Sequence, residues 1–108
     1  MYGRIRQVRS IFDFESELSM SGSSLIVVHF FARWSGPSQM IKTELERLAS
    51  HHPDTVFVEV DVDGCERIAE RYEISTLPSF LLIQNHKVIT TLTGCDLFGL
   101  SEQITRNK

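Results

Sequence analysis

The stretch that most constrains this chain is Leu25-Ile26-Val27-Val28-His29-Phe30-Phe31-Ala32, followed at once by Arg33-Trp34-Ser35-Gly36-Pro37-Ser38. Eight residues, nearly all apolar and many of them β-branched or aromatic, describe a strand covered on both faces. Beyond the turn, Met40, Ile41, Leu45 and Leu48 recur at helical spacing, with Lys42, Glu44, Glu46 and Arg47 elsewhere, which predicts an amphipathic helix. Pro37 suits its first turn, where a missing N–H would have had no partner. The result is a buried strand, a tight turn and a helix start, with Ser35 and Ser38 at the tip.

The rest of the chain alternates strands with helices. Ile5 and Val8 mark a short edge strand, and Arg4, Arg6 and Arg9 around it are expected to be solvated. Phe14 and Leu18 give the next helix its buried face, with Ser10 as N-cap. Ser21-Gly22-Ser23-Ser24 is a surface turn. His51-His52-Pro53-Asp54 ends the central helix, since helices stop before proline, and the two histidines are expected to be solvated at the helix end. Val56, Val58, Val60 and Val62 alternate along a strand. Asp63, three residues before Glu66, is expected to cap a helix whose buried stripe is Ile68, Ala69 and Tyr72. Two strands, Phe80 to Ile83 and Val88 to Leu92, flank a hairpin loop at Asn85-His86-Lys87. Leu97, Leu100 and Ile104 form a last helix capped by Asp96. Such an order gives a layered α/β sandwich about a mixed sheet, expected as a single domain over residues 1–108.

Composition excludes several function classes. A net charge of −3 over 108 residues gives no reason to expect nucleic acid as a partner. No apolar run reaches membrane-spanning length, and the N-terminus lacks the apolar core of a secretory signal. Only Cys65 and Cys95 occur, so no disulfide framework is implied, and a reducing, cytoplasmic setting is expected.

Four landmarks in order resemble the thioredoxin family, of the eukaryotic cytosolic type. Trp34, Gly36 and Pro37 match its Trp-Cys-Gly-Pro-Cys turn, with Ser35 and Ser38 where the cysteines belong. Val58 to Asp63 resembles the family's central strand. Ile74-Ser75-Thr76-Leu77-Pro78-Ser79-Phe80 resembles the loop that carries its cis-proline, and Gly94 its groove-closing glycine. The resemblance implies the thioredoxin fold, a three-layer sandwich whose central mixed sheet is flanked by helices. It also implies a peptide groove made by Trp34, Gly36, Pro37, Leu77, Pro78 and Gly94.

The family's reaction, however, needs sulfur. A thiolate at the first cysteine attacks a substrate disulfide, and the second cysteine resolves the mixed disulfide. Serine supports neither step, so Ser35 is expected to cap the helix and Ser38 to bond locally. Two further departures stand out: His29 where the family usually has a buried aspartate, and Thr43 where it usually has a kinking proline. If the resemblance extends to detail, His29 lies beneath Ser38. A Ser–His pair is raw material for a nucleophile, but an all-apolar strand favours a neutral histidine that bonds Ser38 and does no chemistry. Cys95 is expected to border the groove, and Cys65 to lie in a first helical turn that could lower its thiol pKa. The resulting expectation is a thioredoxin-like protein without the dithiol that binds peptide segments of other proteins, with no cofactor and no metal. The alternative is a protein-disulfide reductase, fed by thioredoxin reductase, whose cysteines at 35 and 38 have been replaced.

Overall fold

The computed structural model describes residues 5–108, so the Arg4 reading lies outside it. Five strands form one sheet in the order β1-β3-β2-β4-β5: β1 Ile5–Val8, β2 Ile26–Phe31, β3 Val56–Asp61, β4 Ser79–Gln84 and β5 Lys87–Thr93. The first three run parallel, and β4 and β5 are antiparallel to their neighbours. All six residues of β2 are buried, because both its edges are paired and both its faces are covered.

Side-chain alternation sorts the sheet into two cores. Ile26, Val28, Phe30, Val58 and Val60 face α1 (Ile11–Met20) and α4 (Glu66–Arg71), whose Phe14, Leu18 and Ile68 complete that core. Val27, Phe57, Phe80 and Leu82 face α3 (Lys42–Ser50) and α5 (Leu97–Asn107), which contribute Leu45, Ala49, Leu100 and Ile104. The expected three-layer sandwich is therefore what forms. Its caps at Ser10 and Asp96 also form, each side chain accepting an N–H three residues on.

The central helix departs from expectation. It is two helices, α2 (Gly36–Met40) and α3, which meet at Ile41. Thr43 stands where the resemblance would place a kinking proline, yet the helix breaks at Ile41 without one. Ile41 is buried and sets the phase of Leu45, Leu48 and Ala49 at helical spacing. Met40, one residue earlier and thus about 100° away around the axis, is 81% exposed and is not part of the apolar face. His52 is also a correction. The expected solvated helix end is buried at that residue, because Lys108 at the end of α5 closes over it with Nζ 3.0 Å from Nδ1. Burial first, then Lys108 and His51, lower its pKa.

Candidate functional site

β2 ends at Phe31, and the chain turns through Arg33 and Trp34 into α2. Ser35 is the N-cap of α2, and its Oγ accepts the Ser38 N–H at 3.3 Å, as anticipated. Pro37 occupies the first turn. Trp34 is 72% exposed, and its indole Nε1 donates to Asp63 Oδ2 at 2.7 Å. Asp63 is thus no helix cap. The N-cap of α4 is Cys65, without a side-chain bond, and Asp63 instead fixes the one tryptophan of the chain.

The loop before β4 completes the site. The Leu77–Pro78 peptide is cis, as the resemblance implied, and Pro78 is buried. Pro78 C=O accepts the Gly94 N–H at 2.8 Å, and Gly94 has φ +85, where a side chain would be strained. Among the described residues, no hydrogen bond within the chain engages the Leu77 N–H or C=O. Cys95 is exposed, and its Sγ donates to Pro37 C=O at 3.6 Å, which ties the Gly94 turn to the start of α2. Gly36 differs from Gly94: its φ is ordinary, and a Cβ there would project into open space. Neither the backbone nor the packing of this chain requires glycine at that position.

His29, on β2, is 1% exposed and stacked on Phe80 with ring centroids 5.0 Å apart. The expected His29–Ser38 bond does not form. Neither ring nitrogen of His29 nor Ser38 Oγ, which is fully buried, has a hydrogen-bond partner among the described residues. Burial, then the charge of Lys42, lower the His29 pKa from 6.5 to about 4, so the ring is neutral at physiological pH. Lys42 Nζ sits 5.1 Å above the Phe31 ring. Among the described residues no carboxylate bonds the histidine, so a hydrolytic Ser–His pair has no support.

Cys65 corrects a further expectation. Its thiol is buried, donates to Val8 C=O at 3.5 Å and has a raised pKa, from burial first and then Asp61 and Asp13. A first-turn position does not activate it. No group of three or more His, Cys, Asp or Glu that could hold a metal occurs among the described residues. No described helix is long and apolar enough to cross a membrane.

An exposed tryptophan beside a Gly-Pro helix start, facing a cis-proline loop at the end of a mixed five-stranded sheet, defines a protein of the thioredoxin class. A family model described as thioredoxin matches residues 7–106. The thioredoxin of Ophiophagus hannah is 34% identical over 102 residues, spanning 94% of this chain and 97% of its own. That of Gallus gallus is 35% identical over 100 residues, spanning 93% and 95%. The solved structure of Fasciola hepatica thioredoxin aligns with a TM-score of 0.93 at 36% identity, covering 96% of this chain and 100% of that one. The chain belongs to the thioredoxin family.

Proposed function

We propose that this single-domain family member binds extended peptide segments of partner proteins and performs no thiol–disulfide exchange. Trp34, Gly36, Pro37, Leu77, Pro78 and Gly94 would line the groove, and the unengaged Leu77 backbone would pair with the peptide as an added strand. Ser35 and Ser38 hold the positions of the nucleophilic and resolving cysteines, and without sulfur neither serves that chemistry. His29, in the place of the buried acid, is a stacked neutral core residue. Its departure from the family's aspartate favours this reading over a reductase that merely had two cysteines replaced, because such a replacement leaves position 29 untouched. Thioredoxin reductase is accordingly not needed as a partner, and the cytoplasm is the proposed setting.

The observation that carries the proposal is Trp34. A large aromatic, 72% exposed and fixed by a hydrogen bond to Asp63, contributes little to the core and much to an interface. Gly36 points the same way, since only an occupant of the groove would need the space that its missing side chain leaves. The test is Trp34→Ala in a pull-down from the native lysate, with and without dithiothreitol. Capture should resist reductant and fall with the substitution, while the thermal midpoint drops by no more than about 1 kcal/mol of stability implies. Release of every captured protein by reductant would sink the proposal. So would unfolding by Trp34→Ala with capture unchanged.

A further inference from the structure

We propose that His52 and Lys108 form a proton-operated latch on the end of α5, in which protonation of His52 expels the Lys108 ammonium and frees the last helical turn. The latch uses none of the groove residues and is independent of the peptide-binding reading above. His52 follows α3 and is 8% exposed, and Lys108 Nζ lies 3.0 Å from its Nδ1. An ammonium offers hydrogen-bond donors only, so Nδ1 accepts, and the ring is neutral with its hydrogen on Nε2. A proton added at Nδ1 sets donor against donor and cation against cation at that distance, and the bond does not survive it.

Nothing around His52 holds the added charge in place. His51 precedes it at the end of α3, Lys108 reaches it from α5, and Arg6 of β1 lines the same concavity. Arg6 is drawn aside by Glu17 of α1 at 3.2 Å. From β3 come the apolar Val56 and Phe57, and Asp54 in the intervening loop is exposed. No carboxylate bonds His52 among the described residues, whose ion pairs all lie elsewhere. Burial first, then Lys108 and His51, accordingly bring its titration below 6.5.

A proton nonetheless has a route to the ring. A concavity of about 210 Å³ adjoins His52, large enough to admit water. Of the two partners, Lys108 is the one that yields. The His52 backbone is fixed, its N–H donating to Ala49 C=O at 3.1 Å and its C=O accepting the Thr55 N–H at 3.0 Å. The carbonyl end of α3 also favours a cation there. Lys108, the C-cap of α5, carries its charge on a flexible stem. Once its ammonium leaves, the side-chain hydrogen bond that still ties this turn to another element is Gln84 Nε2 to Asn107 C=O, at 3.3 Å.

The test titrates the intact chain from pH 8 to pH 5 by NMR, across the ordinary imidazole range. It follows the His52 ring and the heteronuclear NOE of the backbone amides of Thr105 to Lys108. The NOE should fall as His52 protonates, with one midpoint for both, below 6.5. His52→Asn, whose amide oxygen accepts the same bond without titrating, should hold the NOE at its neutral-pH value down to pH 5. Lys108→Met keeps the apolar stem and removes the charge. It should move the His52 midpoint toward 6.5 and leave the NOE low at every pH. Circular dichroism at pH 7 checks that each variant folds, and His52→Gln replaces His52→Asn if the latter does not. An NOE that stays high while His52 titrates overturns the latch, as does a His52 that remains neutral to pH 5. So does an acid-induced fall that persists in His52→Asn, or a His52 midpoint that Lys108→Met leaves unmoved.

Discussion

At His29 the chain places an ionisable ring on a strand that offers it nothing polar. The ring is neutral when folded because its pKa is lowered to about 4, whereas in the unfolded chain it titrates near 6.5. A depressed folded-state pKa on a base means that acid favours unfolding. The contribution is fully present above pH 6.5 and is lost as pH falls toward 4, with a size of about 3 kcal/mol. Glu59, whose carboxyl is raised chiefly by burial, acts in the opposite sense over part of this range, and His52 acts in the same sense. His29→Leu isolates the term. Urea midpoints at pH 7 and pH 4.5 should show native stability falling more than that of the variant, by about 2–3 kcal/mol. Parallel losses in the two proteins would remove the buried histidine from the account. The neutral state was legible in the sequence, since an all-apolar strand leaves no other choice. The absence of a bond to Ser38 was not, because it depends on the ring's rotation and on packing from another strand, which the pattern along one strand does not specify. Asp63 was misread for a similar reason. A carboxylate before a helix can accept from the helix or from elsewhere, and Trp34 lies 29 residues away in sequence.

Among the elements, the β4–β5 hairpin shows how local backbone shape and sequence disagree. Its loop closes with two residues, Asn85 at φ +52 and His86 at φ +66, while Lys87 already belongs to β5. Two positive φ values make a type I′ turn, for which Asn-Gly is the preferred pair. Asparagine tolerates the left-handed region, but histidine carries a Cβ penalty of about 1 kcal/mol. His86→Gly should therefore stabilise the protein by about 1 kcal/mol, raising the thermal midpoint by roughly 4–8 °C. Melting followed by circular dichroism checks this, and an unchanged midpoint would mean that the turn carries no such strain. Elements with strong patterns were legible: β2 from its apolar run, α1 and α5 from caps followed by periodic apolar residues. The split of the central helix was not. Met40 and Ile41 are both apolar neighbours, and only the packing of Ile41 on the sheet decides which one sets the phase. A register irregularity between Leu82 and Ile83 was equally hidden, because one extra residue on the exposed edge strand β5 leaves no signature in composition.

For the whole molecule, the question is how much of the family's machinery persists around the missing sulfurs. The turn, the cap, the cis-proline loop and the Gly94 bond to Pro78 are all in place. As it stands the chain should not reduce insulin disulfides, since Ser35 and Ser38 have no sulfur to oxidise. Ser35→Cys with Ser38→Cys should let a disulfide form at the start of α2, with Cys95→Ser included so that no neighbouring thiol confuses titration. Turnover should nevertheless be slow. The resolving thiol has an ordinary pKa of about 8.5 and must give up its proton. His29, with a pKa of about 4, is a poor acceptor for it. That transfer is uphill by about 6 kcal/mol, so the imidazole offers no useful route. A carboxylate buried at the same place would have its pKa raised by desolvation, which makes it a stronger base. His29→Asp added to the revertant should therefore increase the rate of insulin reduction with dithiothreitol as electron source, and shift its pH dependence toward lower pH. If the revertant with His29 already turns over as fast as the one with aspartate, then His29 is no obstacle to the chemistry. The loss of sulfur at positions 35 and 38 would then account for the missing activity without any contribution from His29.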